Sequence, residues 1–437
     1  MKKSLLTAAS VFSLGALLAA CAPGGGSSGS NDDGSAGEGG GSSEQVTLNV
    51  WSWRVEDVDE YNEIFAVFEE QNPDIKIEFQ AFKDTEYNQI LATALSASDS
   101  PDVAMVKSYG GIQGNIDSGS LVPIDGVVEG LDDIPQEIQD GVSGVEDGRI
   151  YGVPFATQTL QVTYNKGIFD ELSLSVPQTW DELLEVSQTI KDADYIPFAV
   201  GGADVGSQVP IVAEVFGASR YGGWEFFDAV QSGEKDFTDE DYVASLELLD
   251  EILPFLSENV VATTYTDAQS QFLTEQAAMF PGGSWELGFF TSQNEDIEIG
   301  TFPVPPNPDW PADEPITPGF VDGGWAIATK SDHQDEAKRL LEWMTTVEFG
   351  QLFADKLRQM SPIPGVTFED PIQQEMADRF AENGGPYMML VGFRYGQPWG
   401  TELLADATQG IWLGKKTAPE AAQDIQTGLE AWFVPNE

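Results

Sequence analysis

From residue 46 onward the chain alternates two hydrophobic periodicities, and that alternation restricts the folds open to it. Val46, Leu48 and Val50 repeat every second residue; Tyr61, Ile64, Phe65 and Phe68 fall at helical spacing; Ile75, Ile77 and Phe79 return to the two-residue period. Asn72-Pro73 stops the intervening helix. A second helix around residues 87–95 leads through Pro101-Asp102 into the apolar run 103–106. Repeated β-α-β units predict an α/β fold, a mostly parallel sheet covered by helices.

Farther on, Thr179 with Glu182 reads as a capping box opening a helix that carries Leu183, Leu184 and Val186. Ser331 with Gln334 predicts the same device before Ala337, Leu340, Leu341 and Met344. Residues 302–318 are too rich in proline for regular structure. The 437 residues suffice for two ordinary domains, and no internal repeat is evident.

Twenty Lys and Arg against 73 Asp and Glu give a formal charge of −53, a field that repels nucleic acid and anionic headgroups and keeps the surface hydrated. Lys2 and Lys3 precede an apolar stretch over residues 5–18 that is short for a membrane span, so residues 1–20 read as a secretion signal. Leu18-Ala19-Ala20-Cys21 resembles a bacterial lipobox, in which Cys21 is diacylated and two chains suffice for anchoring. Residues 21–45, almost wholly Gly, Ser, Asp and Asn, then form a lipidated flexible tether.

Cys21 is the only cysteine, so the fold stands on packing without an intrachain disulfide. His333 is the only histidine, which argues against a Ser-His-Asp triad, a Cys-His pair or a His-rich zinc site. Neither a phosphate-cradling loop nor a dinucleotide glycine fingerprint is present, and no cofactor or metal is expected. A carboxylate-only glycoside hydrolase is the enzyme class left open.

Eleven tryptophans are a large endowment, and several stand beside glycines in apparent loops. Planar aromatics cover the apolar faces of a sugar ring while amides and carboxylates meet its hydroxyls. The aromatic candidates are Trp53 at the end of the first strand, Tyr109 after the third, Trp224, Trp285 behind Gly282-Gly283-Ser284, Trp325, and Trp399. Trp325 stands at a crossing between lobes, where buried packing is favoured over ligand contact. The polar candidates are Glu56, Gln158, Asp322 and Arg394, the last either forking sugar hydroxyls or pairing with a carboxylate.

Several further segments carry a resemblance when taken in order: Leu48-Asn49-Val50-Trp51; Pro101-Asp102-Val103; Tyr151-Gly152-Val153-Pro154-Phe155 with Tyr164-Asn165-Lys166; Pro177 with Thr179-Trp180-Asp181-Glu182-Leu183; and Ala277-Ala278-Met279, Gly282-Gly283-Ser284-Trp285 and Gly323-Gly324-Trp325-Ala326-Ile327. Together they resemble the family 1 extracellular solute-binding proteins, the maltose-binding-protein-like group, over residues 46–433. The resemblance implies a two-lobed periplasmic-binding-protein-like fold of type II, with one lobe from residues 46–157 and 326–367 and the other from 158–325 and 368–437. It also implies an extracytoplasmic monomer, anchored through Cys21, that closes on a mono- or oligosaccharide and delivers it to the transmembrane subunits of an ABC importer. Where many members place an acidic sugar contact after Pro154-Phe155, this chain holds Gln158, so the sugar is left open. A peptide or polyamine ligand, and a passive surface lipoprotein, are the rival readings.

Overall fold

A computed structural model describes residues 45–97, 100–203 and 206–436. The secretion signal, Cys21 and the tether up to residue 44 lie outside the described residues. The alternating run becomes β1 (Val46–Ser52), followed by α1 (Val58–Gln71) and β2 (Ile75–Ala81). Next come α2 (Asp84–Leu95), β3 (Val103–Lys107) and α3 (Gly110–Asp117). α1 buries Tyr61, Ile64, Phe65 and Phe68, and α2 buries Tyr87, Leu91 and Leu95, the stripes that the helical spacing requires.

The later strands are β4 (Val153–Pro154), β5 (Thr157–Asn165), β6 (Ile196–Phe198) and β7 (Ala277–Gly283). They are completed by β8 (Ile299–Phe302), β9 (Thr317–Val321), β10 (Gly323–Ile327) and β11 (Gly384–Pro386). One sheet has the order β2-β1-β3-β10-β4; the other has β11-β9-β5-β7-β6, with β8 also on β5. The chain crosses between them from β4 to β5 and back from β9 to β10, and a third strand-like passage bridges Met360 to Thr157.

Both sheets are mixed rather than mostly parallel. β1 runs parallel to β2 and β3, yet β10 is antiparallel to β3 and β4. β5 is antiparallel to β7, β8 and β9, while the β6–β7 and β9–β11 pairs are parallel. A chain that leaves a sheet and re-enters it by a short crossing arrives running the other way, which the local β-α-β pattern does not disclose. β10 starts at Gly323, so Trp325 pairs with Met105 in the first sheet, a few residues ahead of the anticipated change of lobe.

Each sheet has its own core. The first gathers Leu48, Val50, Tyr61, Phe65, Val106, Phe155, Trp325 and Leu341; the second gathers Val162, Phe198, Phe216, Leu249, Met388 and Ile425. A smaller third cluster holds Phe272, Phe280, Phe290 and Met376. Thr179 caps the helix Trp180–Asp192 by accepting from the Glu182 N–H at 3.2 Å. The expectation at Ser331 fails. The helix Gln334–Met344 begins after His333 with no side-chain cap, and the Ser331 hydroxyl donates instead to Asp102 at 2.5 Å. Asp102 is nearly buried and also accepts from the Asn49 N–H at 2.9 Å, while the Ser331 oxygen accepts from the His333 N–H at 3.0 Å, ahead of the helix start. Residues 303–316 carry neither helix nor strand. Among the described residues no helix is long and apolar enough to cross a membrane.

Candidate ligand-binding cleft

β1 ends at Ser52, and the next residues turn toward the second sheet. Arg54 is buried; its Nε donates to Asp57 at 2.7 Å and its Nη1 pairs with Glu56 at 3.1 Å. Burial raises the Glu56 carboxyl above its ordinary range, against the pull of the Arg54 guanidinium. From Asp57 a hydrogen-bonded chain crosses the hinge. Gln359 Nε2 reaches Asp57 at 3.4 Å, Gln158 Nε2 donates to Gln359 Oε1 and to Asp322 Oδ2, each at 3.0 Å, and Ser284 Oγ donates to Gln158 Oε1 at 2.6 Å. The network therefore spans both lobes and ends on the turn that carries Trp285.

That turn is built so that an indole lies flat on backbone. A Cβ on Gly283 would stand 1.9 Å from the Trp285 ring, so only glycine allows the ring to fold back over the end of β7. The ring packs edge-on against Phe320 at 6.1 Å, and its Nε1 donates to the Tyr265 hydroxyl at 3.0 Å and to Glu286 Oε1 at 3.1 Å. Glu286 is fully buried and also accepts from the Tyr265 hydroxyl and from Gln269 Nε2 at 3.0 Å. Burial pushes its carboxyl up to about 7, the hydrogen bonds and Arg54 acting against that rise. Trp285 itself is half-buried.

Across the interface, Lys107 at the end of β3 lies 3.7 Å from the centroid of the Trp53 ring and pairs with Asp84 at 2.5 Å. In the loop after the helix Met388–Val391, the Arg394 guanidinium stacks 4.4 Å above Trp399, which is half-buried. The two lobes meet here in tight contact: a Cβ on Gly110, the first residue of α3, would lie 1.7 Å from the Arg394 carbonyl oxygen.

Several candidates are not where a ligand would meet them. Gln158 is wholly buried with its amide already engaged three ways, so it fastens the hinge. Trp325 lies in the first core between Tyr61, Phe65 and Phe155, out of reach of any cleft. Trp53 is 4 % exposed, and Lys107 covers a face of its ring, leaving no broad platform. Tyr109 has a positive φ of 51° and inserts its ring into the second core, where its hydroxyl accepts from the Val321 N–H at 3.2 Å; it is a clasp between lobes. Trp224 is 47 % exposed on the helix Gly223–Gln231 and packs edge-on against Phe227, away from the hinge network. Glu56, Asp322, Trp285, Arg394 and Trp399 remain, held in place by Arg54, Glu286, Tyr265 and Lys107, positioning residues that sequence reasoning missed. The signal for Arg54 and Glu286 was adjacency: each directly follows a candidate tryptophan.

One groove, about 810 Å³, includes Glu56 but none of the tryptophans, and its walls mix charged side chains such as Glu295, Asp355, Lys356 and Arg358 with Phe289, Ile297 and Leu357. Among the described residues no cluster of His, Cys, Asp and Glu could hold a metal ion.

Residues 53–350 match the family model of bacterial extracellular solute-binding proteins. The chain belongs to that family. A multiple sugar-binding protein of Streptococcus mutans is 26 % identical over 407 residues, 90 % of this chain and 91 % of that protein. A maltotriose-binding protein of Pyrococcus abyssi is 27 % identical over 286 residues, 63 % of this chain and 56 % of that one. Among solved structures, the solute-binding protein RafE in complex with raffinose has a TM-score of 0.72 at 23 % identity, covering 89 % of this chain and 99 % of that one. A chitin oligosaccharide binding protein has a TM-score of 0.73 at 20 % identity, covering 89 % and 99 %. These structures share the two-lobed α/β fold of this solute-binding protein.

Proposed function

We propose that this solute-binding protein captures a mono- or oligosaccharide between its two lobes, without chemical change, and presents the closed form to the transmembrane subunits of an ABC importer. It works as a monomer outside the cell membrane, held there by acyl chains on Cys21. The observation that carries the reading is the seat of Trp285: an indole laid over Gly283, its N–H fixed by Glu286 and Tyr265, beside carboxylates that can meet hydroxyls. The names of the relatives in Streptococcus mutans and Pyrococcus abyssi point to the same ligand class.

A polyamine reading loses its footing at Arg54. Glu56 and Asp57, two carboxylates at the polar end of the cleft, are already paired with a protein guanidinium. The same pairing argues against a glycosidase, whose two acids must be free to exchange protons and attack.

Thermal unfolding of the full chain against a panel of mono- and oligosaccharides tests the proposal. A ligand at a hundred times its Kd adds about 2.7 kcal/mol to the stability of the folded state, which raises the melting temperature by several degrees. A panel in which no saccharide shifts the transition while a peptide or polyamine does would overturn it.

A further inference from the structure

We infer that the ligand carries a carboxylate, as a uronic acid residue does, and that Arg394 receives it where the lobes meet; this rests on the carbohydrate reading above. The reason is a charge left over. In a chain with 73 acidic and 20 basic residues, every other arginine among the described residues has a carboxylate partner: Arg54, Arg149, Arg220, Arg339, Arg358 and Arg379. Arg394 has none, and its Nε is buried with no hydrogen-bond partner.

Buried cations are ordinarily paired, because a guanidinium taken out of water loses more solvation than packing returns. Burial accordingly pulls the Arg394 guanidinium below its ordinary value, only partly opposed by Tyr387, Asp84 and Glu402. In so acidic a molecule a neighbouring carboxylate is the easiest partner to supply, so a guanidinium without one, stacked on the half-buried Trp399, is suited to take its partner from outside the chain.

The surroundings fit an anion. A Cβ on Gly111 would lie 2.7 Å from the Lys107 Cβ and 4.0 Å from Arg394 Nη1, so the Arg394 fork reaches a small-residue corner of the other lobe, while the Lys107 ammonium lies over Trp53. Lys107 is paired with Asp84, and Glu402 acts on Arg394 without contacting it, so the Arg394 guanidinium keeps its hydrogen-bonding edge free of a carboxylate. The other end of the cleft, where Arg54 faces Glu56, Asp57 and Asp322, has an excess of negative charge and suits hydroxyls. A saccharide with its uronate toward Arg394 thus meets a complementary charge, and the fork geometry of arginine accepts both carboxylate oxygens. Because Arg394 comes from one lobe and lies against Gly110 and Gly111 of the other, a ligand held there touches both and favours the closed state.

The test compares matched ligands on the full chain by calorimetric titration: galacturonic acid and its trimer against galactose and a neutral trisaccharide, with Arg394→Gln and Arg394→Lys beside the native protein. The expected result is at least about tenfold tighter binding of the uronates, a preference lost in R394Q, partly kept in R394K, and weakened by added salt. Neutral sugars bound as tightly as uronates, or a uronate preference that survives R394Q, would overturn the inference and leave the carbohydrate reading standing. If no saccharide of either kind binds, both fall.

Discussion

Trp285 concentrates what single side chains contribute. Removing it by Trp285→Ala should weaken ligand binding about thirtyfold, roughly 2 kcal/mol, with little change in the urea midpoint, since the ring is half-buried. Gly283→Ala should do nearly the same with the tryptophan still present, because the new methyl would displace the ring it now lies under; titration of both variants tests this, and full affinity in G283A would refute the account of the seat. Glu214 and Glu286 make a second residue-level prediction. Burial pushes both carboxyls up to about 7, for Glu214 against hydrogen bonds from the Tyr221 hydroxyl and the Met388 N–H. A raised carboxyl contributes stability below its unfolded value of 4.5 and loses it as pH climbs through 7, here up to about 3 kcal/mol per group. Urea unfolding at pH 5 and pH 8 should show Glu214→Gln and Glu286→Gln each removing part of that fall relative to native protein; an unchanged difference would contradict the burial. Glu286 was invisible in the sequence because its role depends on Tyr265 and Gln269, about twenty residues away and one helix earlier. Trp53 and Gln158 were visible but misread: a tryptophan at a strand end and a glutamine at a crossing look alike whether they face a ligand or close a gap, and only packing by Lys107 or Ser284 decides.

At the scale of elements, the turn from β3 into α3 does the most. Tyr109 accepts a positive φ to reach the second core, and Gly110 brings α3 against the loop that holds Arg394. Gly110→Ala should leave each lobe folded while forcing them apart, since the added methyl meets backbone and not a movable side chain. Its far-ultraviolet circular dichroism should match the native protein while ligand affinity drops by about tenfold or more; native affinity in G110A would show that the contact is dispensable. The strands β1 to β3 and helices α1 and α2 were legible because each pairs a clean period with a stop signal. The Ser331 cap was not, because Asp102, distant in sequence, fixes Ser331 where its oxygen accepts from the His333 N–H ahead of the helix. Strand direction in the mixed sheets was hidden for the same reason: it is set by where the chain crosses between sheets, a property of residues far apart in the sequence.

The whole molecule is two cores joined by three crossings and a polar chain from Arg54 through Asp57, Gln359 and Gln158 to Ser284. Such a joint permits rigid-body closure, because the crossings and hydrogen bonds tie the two cores together without merging them. Membership in the family and the two-lobed plan were readable from ordered short motifs, whereas the pairing of charges was not, since −53 spread over the chain conceals one unpaired arginine. A ligand that touches both lobes shifts the population toward the closed form by its differential contacts. Small-angle scattering of the full chain, with and without a saccharide at saturating concentration, tests that claim most directly. The account predicts a smaller radius of gyration with sugar and no contraction in G110A; a saccharide that binds without changing the scattering of the native protein would contradict it.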